Sequence, residues 1–220
     1  MTMLENNDDA VKWMGRHYSA EKGHPYPDLL PLGIKILIIG SFPSKAPKYF
    51  EDFYGSQRNQ FWPIITGVFR HKFAHKKGIL AAEERRLFLA HNLIGLTDML
   101  TGCYRYRNLS GDESLFPISW KDILKILDEH ETITRLVFTG RQFITGPLGL
   151  FITYLHQRDK EIDSLHSDAL KNLTGVFYHN GRPIEIMVPY SPSARLAERP
   201  DYDFEHMVKM YRECLSIRPR

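Results

Sequence analysis

Apolar residues fall along this chain in two alternating textures. Short runs are apolar at consecutive positions: "KILIIG" (35–40), "LIGLTDML" (93–100), "TRLVFTG" (134–140) and "IEIMVPY" (184–190). These read as strands. The first is unbroken after Lys35, as expected of a strand covered on both faces. Between the runs, apolar positions recur near helical spacing over 60–69, 78–92, 119–130 and from about Tyr202 to Leu215. In "SWKDILKILDEH", Ser119 stands three residues before Asp122 and predicts a capping-box start, with Ile123, Leu124, Ile126 and Leu127 on one face. A short helix is expected over 8–17, followed by an extended lead-in where prolines punctuate "GHPYPDLLP". Strands alternating with helices predict an α/β chain, a three-layer α/β/α sandwich around a central, mainly parallel four-stranded sheet. A single domain over 1–220 is expected, with 1–32 as its lead-in.

Composition changes this picture little. At 220 residues, 43% hydrophobic and 25% charged, the chain can bury one useful core. The net charge of +3 permits a nucleic-acid partner without demanding one. Basic residues concentrate in "RHKFAHKK" (70–77) and, interleaved with aromatics, in "YRYR" (104–107); each is a nucleic-acid contact or a solvated loop. The two cysteines, Cys103 and Cys214, cannot supply four thiolates to a cluster or to a zinc site, and make no disulfide framework. The N-terminal stretch lacks the apolar core of a signal peptide, and no apolar run approaches the roughly 18 residues of a membrane helix. A cytoplasmic monomer without a membrane partner is expected.

In sheets of this kind, ligands sit at the carboxyl ends of the strands. "GSFPS" (40–44), "TGRQ" and "PYSPSAR" all fall there. Gly40 lets the backbone approach a ligand and Pro43 stiffens the turn. The loop has neither the second glycine of a dinucleotide fingerprint nor a Gly-Lys-Ser/Thr. Asn59, in "FYGSQRNQFWPII", is a helix cap or an amide aimed into a pocket, where it reads a base edge or holds a water. Phe61 and Trp62 read as core anchors. Ser191 and Ser193 suit phosphate oxygens, and Arg195 ends that loop. His71 and His75 have the spacing of two ligands on a helix face, but lysines surround them and no acidic third ligand has matching context, so no metal is expected.

The order of these motifs resembles the uracil-DNA glycosylase superfamily. The likeness is nearest to its mismatch-specific/thymine-DNA glycosylase branch and its hypoxanthine-DNA glycosylase-like branch, and covers about residues 33–215. Gly40, Ser41, Phe42, Pro43 and, imperfectly, Ser44 match a Gly-x-x-Pro-Gly motif. Phe53, Tyr54, Asn59, Phe61 and Trp62 match an aromatic-aromatic element followed by Asn-x-Phe-Trp. Leu96, Asp98, Met99, Leu100, Cys103 and Arg105 match a third element, and Pro189 to Arg195 the last. Phe42 stands where many relatives carry the Asn or Asp that positions water, Ser44 replaces a glycine, and Tyr190 replaces a serine.

The resemblance implies a monofunctional DNA glycosylase that flips a deaminated base (uracil, hypoxanthine or xanthine) out of DNA and hydrolyses its N-glycosidic bond without a cofactor. Since Phe42 cannot activate water, the chemistry falls to Asn59, with Asp98 as the alternative ionised group. Gly40, Ser41, Phe42 and Pro43 would wall the base pocket, with Phe53 and Tyr54 as its platform. Ser191 and Ser193 would clamp phosphates and Arg195 would act as the wedge. Two rivals stay open: a non-catalytic nucleic-acid binder of this fold, and an unrelated α/β enzyme holding a small phosphorylated ligand.

Overall fold

The computed structural model describes residues 18–44, 51–107 and 109–216; the helix expected over 8–17 lies outside them. In chain order the elements are β1 (Tyr18–Lys22), β2 (Ile36–Gly40), α1 (Phe61–Phe69), α2 (Ile79–His91), β3 (Ile94–Asp98), β4 (Leu100–Tyr106), a 3-10 turn (Asp112–Ser114) and β5 (Leu115–Trp120). There follow α3 (Ile123–Glu129), β6 (Arg135–Phe138), α4 (Pro147–His156), β7 (Ser164–Ser167), β8 (Leu173–His179), β9 (Arg182–Val188), the single turn α5 (Ala194–Ala197) and α6 (Phe204–Leu215).

The four strands expected from the apolar runs are β2, β3, β6 and β9. They form the parallel part of a sheet ordered β3-β2-β6-β9-β8-β7. The sheet is therefore six-stranded rather than four-stranded, because β8 and β7 extend it antiparallel. Alternate side chains of β2 divide between two cores, as the two-residue period of a strand requires. Leu37 and Ile39 pack with Ile123, Leu127, Phe151 and Tyr154 of α3 and α4. Ile36 and Ile38 pack with Phe61, Ile64, Phe88, Met207 and Tyr211 of α1, α2 and α6. Helices thus cover both faces. No helix among the described residues is long and apolar enough to cross a membrane.

A second, three-stranded antiparallel sheet, β1-β4-β5, forms beside the first. Its strand β4 carries the "YRYR" segment, and Arg105 there is 0% exposed, so it is not part of a basic surface. The Arg105 guanidinium instead joins three pieces of chain. Its Nε donates to Glu21 Oε1 of β1 (2.8 Å), its Nη1 to Leu109 O (3.2 Å) and its Nη2 to Pro43 O (2.8 Å). Removing one partner of a buried ion pair leaves polar groups desolvated without compensation. Arg105→Ala is expected to cost about 3 kcal/mol in chemical denaturation, with Arg105→Lys recovering only part, since the single nitrogen of an ammonium cannot span acceptors that three separate guanidinium nitrogens reach.

One helix start differs from expectation. Ser119 lies in β5, where its Oγ accepts from Thr101 Oγ1 (2.7 Å), and α3 begins only after Asp122. Asp122 is itself the cap, accepting from Lys125 N (3.2 Å) and from the Tyr154 hydroxyl (2.6 Å). A carboxylate already bound by the facing helix is the better N-cap, so the helix starts there.

Candidate functional site

Parallel pairing of β2 with β3 sets Gly40 opposite Asp98, so the first loop and the carboxylate emerge at the same height. Nothing larger than glycine fits at position 40. A Cβ there would lie 2.1 Å from Asp98 Oδ1 and 3.0 Å from the Tyr54 hydroxyl. Asp98 is 4% exposed, and its other oxygen, Oδ2, meets His24 Nε2 at 2.9 Å. The His24 ring is held in turn by the backbone of Tyr26. Tyr54 reaches the same point from the side. Its φ of 56° is left-handed, a conformation costing a non-glycine residue roughly 1–2 kcal/mol. Stacking on Phe61 (4.1 Å between centroids) and a 2.9 Å bond to Thr139 Oγ1, at the end of β6, hold it there. Burial and the nearby Asp98 charge raise the Tyr54 pKa, so it stays a neutral hydrogen-bonding group.

On the other side of the turn, Ser41 Oγ donates to Asp112 Oδ1 at 2.5 Å. Burial pushes the Asp112 carboxyl up to about 6. The charges of Asp98 and Glu113 add to this, while the Ser41 bond and Arg105 oppose it. The neighbouring Glu113 binds Arg195 Nη2 at 2.7 Å, which ties the last loop to the 3-10 turn, and that bond lowers the Glu113 pKa. Two carboxylates of different character therefore flank Gly40–Ser41. Asp98 is sealed and fixed by His24, whereas Asp112 is half-buried and titrates near neutrality. A buried carboxyl whose pKa is raised toward the working pH is a frequent mark of acid–base sites, and Asp112 is of that kind.

Asn59 stands at the start of α1. Its Oδ1 accepts from Phe61 N (2.9 Å), which fixes the amide's orientation, since a backbone N–H requires the oxygen. The Nδ2 donors face away from that bond. Next to it, Gln60 N donates to Pro192 O at 2.8 Å and couples this corner to the last loop. In that loop Ser193 caps α5 by accepting from Leu196 N (3.4 Å), and Ser191 Oγ accepts from Ser193 N (3.3 Å). Ser191 also lies against Gly140, whose position would put a Cβ 3.7 Å from its own.

Gly40, Ser41, Tyr54 and Asp98 are thus drawn to one place; Ser191 joins it through Gly140 and Arg195 through Glu113, while Asn59 and Ser193 make only local bonds, their segments tied together by Gln60 N and Pro192 O. Phe42 is 7% exposed and packs into the core against His24 (5.5 Å), with the Arg105 guanidinium over its ring at 5.9 Å. Phe53 is buried too, stacked on His24 at 5.4 Å, its carbonyl taken by Trp62 Nε1 (3.0 Å). Pro43 serves through its carbonyl, which Arg105 holds. Two residues of the site escaped the sequence reading, His24 and Asp112, and a third, Thr139, lay in the "TGRQ" segment at the strand ends without a role of its own. Asp112 carried a faint signal, the Gly-Asp turn of "LSGD"; His24 was absorbed in the proline-rich lead-in, and Thr139 in a strand end.

His71 packs on the rings of Phe73 and Phe88 (both 4.7 Å), and His75 pairs with Glu84 (3.4 Å), so the two are committed to different partners. Among the described residues no group of three His, Cys, Asp or Glu is arranged to hold a metal ion. A concavity of about 540 Å³ lies elsewhere, along α1 and α2, lined by Phe69, His71, Glu84, Phe88 and His91. Its carboxylate is already bound by the backbone N–H groups of Ala74 and His75.

The fold is that of the uracil DNA glycosylases. The chain superposes on a uracil DNA glycosylase-like protein from Methanosarcina acetivorans, solved by solution NMR, with a TM-score of 0.57 and 19% identity over 89% of this chain and 99% of that one. In sequence it is 32% identical over 74 residues to the hypoxanthine DNA glycosylase of the same organism. That match covers 34% of this chain and 44% of the relative, so the chain spans less than half the length of the relative it matches. No family model matches the chain. The fold and the local identity agree with the motif resemblance, on its hypoxanthine-DNA glycosylase-like side.

Proposed function

We propose that this protein is a DNA glycosylase of base excision repair that flips a deaminated base from DNA and hydrolyses its N-glycosidic bond. The observation that carries the reading is the pair of carboxylates, Asp98 and Asp112, held on either side of a glycine turn at the carboxyl ends of the strands. The 32% identity to a hypoxanthine DNA glycosylase supports it and favours hypoxanthine among the candidate bases.

The steps follow from the residues. An N-glycosidic bond breaks toward an oxocarbenium-like sugar, as in glycoside hydrolysis. Asp98, fixed by His24, supplies the negative charge that stabilises this cation. Asp112, ionised above about pH 6, takes a proton from the attacking water, whose oxygen bonds to the anomeric carbon. The electron pair of the broken bond leaves with the base. Asn59 Oδ1 is spent on Phe61 N, so Asn59 acts as a donor, its Nδ2 bonding an acceptor atom of the departing base. Gly40, Ser41 and Tyr54 wall the pocket around the base. Phe42 and Phe53 pack beneath that wall, and Ser191, Ser193 and Arg195 meet the DNA backbone.

The test is a panel of duplexes, each with one uracil, hypoxanthine or xanthine. Alkali-labile abasic sites are expected with at least one of them. DNA binding with no product from any base would instead leave a non-catalytic binder of this fold, and binding without salt dependence would point away from DNA phosphates altogether.

A further inference from the structure

The second sheet, β1-β4-β5, has one face turned to the core and one turned away, and the two-residue period of its strands sorts the side chains between them. Inward lie Cys103, Arg105 and Leu115, all buried. The outward positions of a half-buried antiparallel sheet are ordinarily polar. Here they are mostly rings. Tyr104 and Phe116 are direct cross-strand partners, exposed by 38% and 46%, and Ile118 follows at 39%. Tyr18 and Tyr106, paired across β1 and β4, stand beside them with ring centroids 5.1 Å apart, and Tyr18 meets the Phe116 ring edge-on at 5.0 Å.

The charges at this face have one sign. Lys22 is exposed at the outward end of β1, and the Arg107 guanidinium lies over the Tyr106 ring at 5.1 Å, just past β4. The nearby acids are engaged elsewhere: Glu21 is turned inward to Arg105, and Glu113 holds Arg195. Rings beside cations suit unpaired nucleotides, since every base offers a π-face to stack and every phosphate a charge to neutralise. A duplex fits less well, because its base faces are already stacked on one another. A purely apolar protein surface would leave Lys22 and Arg107 without a counter-charge.

Position favours the same partner. Phe116 is four residues from Asp112, so at most about 14 Å of chain separates them. The stretch between Tyr106 and Ser114 is tied down. Leu109 N donates to Tyr106 O (3.0 Å), Ser114 Oγ donates to Leu109 O (3.0 Å), and Arg105 Nη1 donates to that same carbonyl (3.2 Å). The rings and the Asp112 turn thus share one support, and a strand threading the site can run on to the face beside it.

We propose that this face is a stacking platform for unpaired DNA, with bases lying on Tyr104 and Phe116 and Arg107 meeting a phosphate. The glycosylase reading above supplies the strand; the platform itself is tested by binding alone. Fluorescence anisotropy measures affinity for a labelled oligothymidylate of about 12 nucleotides and for a blunt duplex. The proteins compared are wild type, Tyr104→Ala/Phe116→Ala, Tyr104→Leu/Phe116→Leu and Phe116→Trp. All substitutions are at exposed positions, and thermal denaturation checks that each variant folds. The double alanine and double leucine variants are both expected to bind the oligothymidylate at least about tenfold more weakly, since leucine keeps apolar area but no ring. Phe116→Trp keeps wild-type affinity, and duplex affinity stays within about twofold throughout. Unchanged single-strand affinity in the alanine variant, full affinity in the leucine variant, or equal loss on both DNAs overturns the platform. So does a wild-type dimer in sedimentation that the alanine variant abolishes without loss of single-strand binding, because the face is then an interface between copies. If the ring variants lose single-strand binding but wild type releases no base from any duplex, the platform stands and the glycosylase reading fails. Base release by wild type, with undiminished single-strand binding in the alanine variant, gives the converse.

Discussion

Asn59→Asp is expected to fold as well as wild type and to release base at least about 100-fold more slowly, the scale on which removing one hydrogen-bond donor to a developing charge acts. The substitution separates two roles that alanine would confound. An aspartate retains the oxygen that accepts from Phe61 N at the start of α1. What it removes is the Nδ2 donor, and it places a negative charge where the departing base is itself gaining one. Asn59→Ala removes both functions and should additionally cost about 1 kcal/mol of stability through the lost side-chain bond to Phe61 N, an Asx turn that leads into α1. Thermal denaturation together with single-turnover base release tells these outcomes apart. Wild-type turnover in Asn59→Asp would move base recognition elsewhere, with the Tyr54 hydroxyl next in line.

Asp112→Asn should lower the rate by about 10²-fold or more, within the range of general base catalysis, and change the pH profile as well. Ser41 Oγ still finds an acceptor in the asparagine oxygen, so the local geometry is preserved. In wild type the rate is expected to climb as pH rises through about 6, where this carboxyl ionises, and to level off above. The variant loses that limb. Stability should move the opposite way. Burial raises this carboxyl from its ordinary 3.8 to about 6, so folding favours the protonated form. Its contribution to stability is full below about pH 4 and gone above about pH 6. Asparagine never ionises and avoids that loss, so Asp112→Asn should be at least as stable as wild type at neutral pH while being far less active. A variant that is inactive because it unfolds, or active with an unchanged profile, contradicts the assignment.

The central sheet was readable from the chain because its parallel strands are buried on both faces, which leaves unbroken runs such as "ILIIG" that no amphipathic helix produces. The hairpin β8–β9 was harder. Its strand β8 mixes Thr, Gly, Tyr and His with apolar residues, yet Asn180 and Gly181, at φ 50° and 74°, make the two-residue turn that Asn-Gly favours between strands. The signal was present, in a stretch whose mixed polarity shows no clean strand alternation. The second sheet was hidden for another reason. β4 shifts register on either side of Gly102 and so breaks the alternation that would mark a strand. At the site, Gly40, Asn59 and Asp98 each stood out as residue types in motifs. What no motif contains is the register that sets Gly40 opposite Asp98, or the contact between Ser41 and Asp112 across 71 positions. Asp112 becomes chemically unusual only through that burial, so nothing local could distinguish it from any loop aspartate. Phe42 is the reverse case. Its inability to activate water was evident from its chemistry, and the fold spends it on packing, with Arg105 over its ring.

The account's central claim is that the bond broken is the one between base and sugar. Chromatography of the free base released from a hypoxanthine-containing duplex under single-turnover conditions, alongside electrophoresis of the same strand without alkali, tests it most directly. Free hypoxanthine equal in amount to the abasic sites, on a strand that stays intact until alkali is added, is the result expected. A strand nicked with its base still attached, or a tightly bound duplex with every base retained, would contradict it.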